Sequence, residues 1–272
     1  MLSRLVLSLV LVGACRPSPR PDAPLGLSLT ALAHPGFSWI ERSTAHFHIR
    51  FLAASYAAAH QDSLLGRLES AHEHVFEMID LPQDTARIQV LFLETRLQME
   101  TLLGRRATGF AEPATGTVLL MTNPDWRAFE RHEIMHVVAE RNWGPADPEA
   151  DWLREGLAQL ADGRCGRYSN EPVANGLVAE DGWIPLETLV RDFRRQPDLN
   201  AYLEAASLAG YIHRVHGVAA LRAMWQGGPE EFRRVTGRSL HQLEQEWQEA
   251  MATISARPRP AEIAVLRQRG CG

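Results

Sequence analysis

The motif His132-Glu133-Ile134-Met135-His136 constrains this chain more than any other feature of its sequence. It lies in the stretch 126–141, which contains no glycine or proline and therefore predicts one helix. Residues four positions apart share a helix face, so His132 and His136 can direct two imidazole nitrogens at one point, with Glu133 beside them. Catalytic zinc takes three protein ligands and leaves the fourth position to water. The motif therefore predicts a zinc site with Glu133 as general base; the alternative is two structural histidines on a helix.

The third ligand separates the classes of zinc protein that share this motif. In the extended pattern H-E-x-x-H-x-x-G-x-x-H, glycine and histidine would occupy positions 139 and 142. The chain has Ala139 and Asn142, which excludes that class. Another class takes a glutamate from the following helix. Glu155 lies nineteen residues beyond His136, enough to end one helix, turn through 142–145 and enter the next. We therefore expect Glu155 to complete the site.

Two other glutamates compete with Glu155 for this role. Glu140 lies eight residues from His132 on the same predicted helix. That separation is about 12 Å along the axis, too far for both residues to bind one ion. Glu149 follows a helix-start pattern at 147–148. A carboxylate at that position is expected to interact with the helix dipole rather than with zinc.

The two motifs together resemble a known family. His132-Glu133-x-x-His136 followed by Trp152-Leu153-Arg154-Glu155-Gly156 is similar to the gluzincin zinc metallopeptidases, and more narrowly to the bacterial peptidase MA-like family. Looser similarity extends from the segment 39–49 to the segment 240–247. The resemblance implies an α+β, zincin-like fold with a mixed sheet and helix lobe, a helical lobe, and Zn2+ in the cleft between them. It also implies peptide-bond hydrolysis by a zinc-bound water, with Glu133 as base.

The same resemblance suggests roles for residues outside the two motifs. Thermolysin-like members carry an aspartate four residues after the ligand glutamate, where it orients a zinc histidine. This chain has Gln159 there, which implies a hydrogen bond to a histidine without the charge, and weaker zinc binding. Tyr202 begins a segment similar to the helix after the zinc site, so its hydroxyl is expected to stabilise the oxyanion. The alternatives are a core role for Tyr202, with Tyr168 or Tyr211 as donor.

Hydrophobic periodicity predicts an α+β order of elements. Strands are expected at 47–51 and 88–93, with a helix at 64–79 between them, and a hairpin at 108–121 leads into the zinc helix. After Glu155 the pattern predicts a polar, glycine-rich loop followed by four helices. The loop is expected at 163–182 and the helices near 186–195, 201–215, 218–226 and 239–254.

The hairpin also carries the expected substrate contacts. We expect Thr117–Met121 to form an edge strand that pairs with an extended peptide by strand addition. Gly109, Phe110 and Ala111, on the other arm of the hairpin, are expected to bind the substrate.

The first residues predict where the protein is located rather than how it folds. Arg4 precedes an apolar run at 5–12 that is too short to span a bilayer, a pattern typical of an export signal. Val12-Gly13-Ala14-Cys15 resembles the lipobox of bacterial lipoproteins, so we expect a signal peptide at 1–14, lipidation of Cys15 and location in the cell envelope. The alternative is ordinary secretion with cleavage near Ala14. The expected remainder is a proline-rich tether at 15–36, a catalytic domain at 37–255 and a C-terminal tail at 256–272.

Export makes the two remaining cysteines informative. In an oxidising compartment, Cys165 and Cys271 can form a disulfide that closes a loop of about a hundred residues. Chain entropy predicts roughly 4–5 kcal/mol of stabilisation for such a loop. The bond would hold the C-terminal tail near the zinc site; the alternative is two free thiols.

Composition limits the classes of partner. The chain has 272 residues, of which 45% are hydrophobic, and a net charge of −5. That is enough for one domain or for two small lobes around a cleft. The absence of basic clusters in the sequence argues against nucleic-acid binding. We expect Zn2+ as cofactor, a peptide or protein substrate, and membrane contact through the lipid anchor.

A different class of protein is the runner-up interpretation. The same fold could serve as a noncatalytic, zinc-stabilised binding or assembly protein of the cell envelope. Glu133 favours the enzyme, because a structural zinc site needs no base and fills its fourth position with a protein ligand.

Overall fold

A five-stranded mixed sheet forms the first half of the protein, and the computed structural model describes residues 26–272. The strands are β1 (Trp39–Ser43), β2 (Phe47–Leu52), β3 (Ile88–Leu93), β4 (Gly109–Glu112) and β5 (Thr117–Met121). They lie in the order β1-β2-β3-β5-β4. β3 pairs in parallel with β2 and β5, whereas the outer strands β1 and β4 run antiparallel to their neighbours.

Four helices accompany this sheet. They are α1 (Leu27–Ala33), α2 (Tyr56–Ala59), α3 (Gln61–Met78) and α4 (Arg96–Leu103). Parallel strands need a crossover connection, and α3 supplies it between β2 and β3. Successive side chains of β3 point to opposite faces: Val90 and Phe92 join the main core, whereas Leu91 and Leu93 join a smaller core with residues of α4. The predicted order of strand, helix and strand in this half is confirmed.

The edge of the sheet lies at β4, so the prediction that Thr117–Met121 forms the edge strand is wrong. β5 pairs with β3 on one side and with β4 on the other, and all five of its residues are buried. A continuous apolar run of this kind is typical of a strand that is covered on both faces. Gly109, Phe110 and Ala111 therefore lie on the outermost strand. Within residues 26–272, no strand pairs with the free side of β4.

The second half of the chain is mainly helical. Its α-helices are α5 (Glu130–Trp143), α6 (Asp151–Asp162), α7 (Asn170–Asp181), α8 (Leu186–Asp192), α9 (Asp198–Thr236), α10 (Leu240–Ala252) and α11 (Pro260–Arg269). Short 3-10 turns occur at Pro148–Ala150 and Phe193–Arg195. α9 leaves helical geometry at Gly217, where φ is 79°, and again at Gly227 and Gly228. The break at Gly217 agrees with the boundary predicted between the helices at 201–215 and 218–226.

The prediction of a polar loop at 163–182 is wrong for most of its length. The strands β6 (Arg164–Cys165) and β7 (Tyr168–Ser169) form a small hairpin, and α7 fills the rest. Asparagine, glutamate and glycine in α7 conceal its apolar face in the sequence. Val173, Ala174 and Leu177 nevertheless recur at helical spacing and are completely buried in the main core.

Close packing of α6 on α9 fixes the position of Glu155. A Cβ on the neighbouring Gly156 would lie 2.6 Å from the carbonyl oxygen of Ala205 on α9, so the helices approach this closely only with glycine. The side chains of Trp152 and Leu153 are also completely buried. α6 is therefore held against α9, and its Glu155 faces α5.

The structure describes the C-terminal end of the chain but not the first 25 residues. At the C-terminal end, a disulfide joins Cys165 in β6 to Cys271, and the N–H of Gly166 donates to the carbonyl of Cys271 at 3.1 Å. At the N-terminal end, the predicted signal peptide, Cys15 and the first part of the tether lie outside the described residues. No helix in the described part of the chain is long and apolar enough to cross a membrane.

Candidate metal centre

The three predicted zinc ligands meet between α5 and α6. The Nε2 atoms of His132 and His136 each lie 3.5 Å from Oε2 of Glu155, and the three ligand atoms lie within 4.8 Å of one another. Tetrahedral zinc with ligands at roughly 2.1 Å separates neighbouring ligand atoms by about 3.4 Å. The separations from Glu155 match this value. Among the described residues, these three form the group that is placed to hold a metal, and neither Glu140 nor Glu149 belongs to it.

α5 presents its histidines to the cleft because its other faces are buried. His132 and His136 line the cleft one helical turn apart. The apolar residues that pack into the main core, each at most 1% exposed, are Ile134, Met135, Val137 and Val138. Burial of these side chains fixes the rotation of α5, and with it the direction of both imidazoles.

The helix α5, which carries both histidines, begins four residues later than predicted, at Glu130 rather than Trp126. Trp126 instead pairs with Asn123 in an isolated β-bridge, and its carbonyl accepts a hydrogen bond from Thr122 Oγ1 at 3.2 Å. Together with the reciprocal backbone bonds between Asn123 and Trp126, this bond closes a turn before the helix. Trp126 and Phe129 consequently line the cleft beside the ligands.

Glu133 is buried against the edge strand. Its carboxyl group lies so close to Gly109 that a Cβ on that residue would be 2.9 Å from Cδ of Glu133. Only 7% of Glu133 is exposed, and this burial raises the pKa of its carboxyl above the ordinary value. Glu133 is therefore a carboxylate beside the ligands that is not itself a member of the ligand group.

Glu155 uses its two carboxylate oxygens differently. Oε2 faces the two histidines, whereas Oε1 accepts a hydrogen bond from Nη2 of Arg194 at 2.8 Å. Burial alone would raise the pKa of Glu155, but His136 and His132 lower it well below its usual range. The carboxyl group is thus ionised and ready to serve as a metal ligand through Oε2.

Arg194 connects Glu155 to two further residues. Its Nε and Nη2 donate to the carboxylate of Asp151 at 2.6 and 2.7 Å, and its Nη1 donates to the Tyr202 hydroxyl at 3.1 Å. Arg194 lies in the 3-10 turn Phe193–Arg195. The planar guanidinium therefore fixes Glu155 relative to both α6 and α9.

Sequence reasoning missed Arg194. It lies 39 residues beyond Glu155, and it is one of three arginines in the segment 191–195. No local periodicity distinguishes the one that reaches the site. Its position is a consequence of how α8 and the following turn pack on α6.

Tyr202 lies in the cleft, and the two alternative tyrosines do not. Burial, with Glu155 nearby, raises the pKa of Tyr202, so its hydroxyl keeps its proton at neutral pH. Because that oxygen accepts from Arg194, its own O–H remains able to donate. Tyr168 instead accepts a hydrogen bond from Arg167 at 2.7 Å, and Tyr211 donates to Glu246 at 3.4 Å.

Gln159 joins α6 to α7. Its side-chain amide donates to the carbonyl of Arg164 at 3.2 Å and to Oδ1 of Asn170 at 3.0 Å. In the described part of the chain, no hydrogen bond joins Gln159 to His132 or His136. Nδ1 of His136 is buried and has no partner there. The interaction that the family resemblance implied for Gln159 is therefore not part of this arrangement.

The cleft around these residues has a volume of about 710 Å³. Its lining comes from α4 and β4 on the sheet side and from α5, α6, α9 and α11 on the helical side. Gly270 and Cys271 also line it, and Gly272 packs on the ring of Trp126. The disulfide from Cys165 thus holds the C-terminal segment as part of the cleft wall. A larger surface cavity of about 910 Å³ near Pro229 lies apart from the metal ligands.

No protein-family model matches the chain, and no curated protein matches it either. The chemistry of the site must therefore be inferred from its own residues: three side chains placed to hold a metal, a buried carboxylate, a tyrosine hydroxyl and an open strand edge.

Proposed function

We propose that this protein is a zinc-dependent metallopeptidase of the gluzincin type, built on a zincin-like fold and similar to the peptidase MA-like family. One observation carries the proposal: Glu133, which is outside the metal-binding group, lies between that group and the free strand edge at Gly109. A site that only stabilised the fold would have no need of this carboxylate. A bound zinc ion supplies an acidified water and polarises a carbonyl group.

The residues around the metal position supply proton transfer, stabilisation of the developing charge and orientation of the ligand. Glu133 accepts the proton that the attacking water loses, and it transfers that proton to the amide nitrogen as the C–N bond breaks. The products are a carboxylate and an amine. The Tyr202 O–H donates a hydrogen bond to the oxygen on which negative charge develops. Arg194 keeps Oε1 of Glu155 occupied, so Oε2 stays directed toward the histidines.

The strand edge supplies the position of the substrate. β4 is one of the two outer strands of the sheet, and Gly109–Ala111 line the cleft next to Glu133. An extended peptide that adds to this edge would run past the base with its backbone hydrogen-bonded to β4. This arrangement favours a peptide over a compact small molecule.

Replacing the base tests this proposal. Glu133→Gln keeps the size of the side chain and the three ligands but removes the proton acceptor. We expect zinc content, measured by mass spectrometry, to be unchanged and cleavage of a proteome-derived peptide library to fall by at least ~10²-fold. Glu140→Gln, two turns along the same helix, is the matched control and should cleave normally. Undiminished cleavage by Glu133→Gln would reject the mechanism. Zinc binding by the wild type without cleavage of any peptide would favour the noncatalytic scaffold.

We also propose that the protein is exported and anchored through Cys15. The support is the lipobox-like sequence Val12-Gly13-Ala14-Cys15 together with the disulfide between Cys165 and Cys271, a bond typical of oxidising compartments. Mass analysis of the N-terminal peptide should show lipid on Cys15. Cys15→Ser should accumulate as an uncleaved precursor, and an unmodified N-terminus in the wild type would contradict the anchor.

A further inference from the structure

Positive charge is concentrated in the cleft of an acidic protein. The chain carries a net charge of −5, yet six arginines line the cleft, and its acidic lining residues are Glu133, Glu155 and Asp198. The arginines are Arg96, Arg105, Arg154, Arg194, Arg267 and Arg269. A cleft with an excess of one sign of charge attracts ligands of the opposite sign, because its low-dielectric walls focus the field.

Two of these arginines are already neutralised by carboxylates. Arg194 pairs with Asp151 and Glu155, and Arg267 pairs with Glu180 and Asp181 at 2.9 and 2.5 Å. The other four have no carboxylate partner among the described residues. The cleft therefore presents guanidinium groups that a ligand can reach.

Aromatic rings hold two of the unpaired guanidiniums on the sheet side. Arg96 lies over the ring of Trp126 at 4.9 Å, and Arg105 lies over the ring of Phe110 at 5.3 Å. A guanidinium stacked on a ring keeps its N–H groups directed outward in its own plane, where they can bind a carboxylate through two hydrogen bonds. Because Phe110 belongs to β4, Arg105 lies beside the edge at which a peptide is proposed to bind.

Arg154 places a third unpaired cation next to the metal ligands. It precedes Glu155 on α6 and lines the same cleft. Its Nε is buried and has no hydrogen-bond partner within residues 26–272, and its charge acts on Glu133. A buried donor without a partner is unfavourable, so a ligand group that accepts from it gains affinity.

We propose that the cleft selects acidic peptides, with Asp or Glu side chains on both sides of the scissile bond held by Arg105 and Arg154. The inference rests on the proposed peptidase function and specifies its substrate class. The strand edge at β4 favours a peptide over other polyanions, because only a peptide backbone completes the hydrogen bonding of a strand.

Binding to a zinc-loaded, full-length Glu133→Gln variant tests this without cleavage. Two labelled peptides are compared by fluorescence anisotropy; they differ only in having glutamate or glutamine on both sides of one Ala–Ala bond. We expect the glutamate peptide to bind at least ~10-fold more tightly, the ratio that one charged hydrogen bond supplies. Added salt should reduce the ratio.

Arginine variants in the same background test whether the cleft causes the preference for the glutamate peptide. Arg154→Gln and Arg105→Gln should each reduce the ratio between the two peptides while zinc content and melting temperature stay the same, which separates the arginines from attraction by the metal. Arg222→Gln is the matched control, since Arg222 is exposed and lies on α9 outside the cleft. Its ratio should equal that of the parent.

The outcomes distinguish this inference from the function on which it rests. Equal binding of both peptides, tighter binding of an oligonucleotide than of the glutamate peptide, or an unchanged ratio in both arginine variants would overturn the inference. If the wild type cleaves both peptides equally, the peptidase function stands and acidic selectivity fails. If Arg105 and Arg154 prove to select the glutamate peptide but the wild type cleaves neither, acidic recognition stands and the peptidase function fails.

Discussion

The half of the protein before α5 and the half from α5 onward differ in their buried acids. Among the described residues, no aspartate or glutamate before α5 is buried, whereas five are buried from α5 onward. These are Glu130, Glu133, Glu155, Asp162 and Glu204. A buried carboxylate is unfavourable unless a cation or hydrogen bonds compensate for the lost hydration. The helical half therefore contains groups that need either a partner or a function.

Three of these acids have an arginine partner. Glu130 pairs with Arg67 at 2.8 Å, Asp162 pairs with Arg127 at 2.5 Å, and Glu155 pairs with Arg194 at 2.8 Å. Glu133 and Glu204 have no cationic partner of this kind in the described residues. The sheet half, in contrast, contributes no buried carboxylate to the site within the described residues, and its β4 backbone lies against Glu133 at Gly109. We conclude that the buried charges of the site come from the helical half, whereas the sheet half fixes the position of Glu133 through close backbone approach.

The largest expected effect is loss of the metal when the helical half loses its ligand. Glu155→Ala removes the one carboxylate of the proposed metal-binding triad, so zinc should no longer be retained at one equivalent after dialysis, as measured by mass spectrometry. Glu149→Ala removes an exposed carboxylate outside the triad and serves as control. Full zinc retention in Glu155→Ala would mean that another residue completes the site.

A change in the sheet half should affect the chemistry and spare the metal. In Gly109→Ala the new Cβ would lie 2.9 Å from Cδ of Glu133 and closer still to its Oε1, so the carboxylate must move. Misplacement of a catalytic group by about 1 Å costs roughly 10²-fold in rate, so we expect kcat to fall by that factor. Zinc content should not change.

A second glycine provides the control for Gly109→Ala. In Gly66→Ala the added Cβ on α3 would meet no atom within 4 Å, so kcat should equal that of the wild type. Loss of zinc in Gly109→Ala would contradict the conclusion that β4 positions Glu133 and that the helical half alone holds the metal.

A smaller effect is expected from the arginine that supports Glu155. Arg194→Gln removes the donor to Oε1 while the three ligands remain, so zinc affinity should fall by about 10–100-fold, as is usual for groups that orient a ligand. Arg195→Gln is the matched control, because this neighbour is exposed and pairs with Asp192. Competition with a chromogenic chelator measures the zinc affinity of both variants. Equal affinities in the two variants would show that Glu155 needs no support.

The sequence predicts that the three candidate metal ligands lie together, because helix geometry is local. Spacing of four residues places His132 and His136 on one face, and the segment that starts the next helix brings Glu155 opposite them. The α+β order follows equally from the apolar periodicity. The bond between Cys165 and Cys271 follows from the sequence only through the number of cysteines and the predicted export signal.

Features that depend on tertiary packing escaped prediction. The identity of the edge strand depends on the strand order in the sheet, which the hairpin sequence does not specify. Arg194 reaches the site only because a 3-10 turn after α8 packs beside α6. The helix α7 was obscured by polar residues that surround its short apolar face. In each case contacts between distant segments, and not local pattern, decide the outcome.

Glu204 is the buried acid of the helical half that has neither a cationic partner nor a place in the cleft. It lies on α9 and is completely buried. Oε2 accepts the N–H of Ile184 at 3.1 Å, whereas Oε1 has no partner among the described residues. Burial raises the pKa of Glu204 to about 8, with Asp181 adding to the effect. The folded protein therefore keeps this carboxyl protonated at neutral pH.

The last expected effect concerns the fold rather than the site, and tests whether that proton limits stability. Unfolded chains release this proton above the ordinary glutamate pKa of 4.5, whereas the folded protein holds it until about pH 8. Folding therefore binds a proton in this window, and stability falls as pH rises, by up to about 1.4 kcal/mol per pH unit. Glu204→Gln cannot ionise and keeps an acceptor for Ile184. The melting temperature of the variant minus that of the wild type should therefore increase from pH 5 to 8 and stay constant above pH 8. The same scan of Glu187→Gln, an exposed residue on α8, should show a constant difference. A constant difference for Glu204→Gln as well would mean that folding does not change the proton affinity of Glu204, and that burial does not raise its pKa in the folded protein.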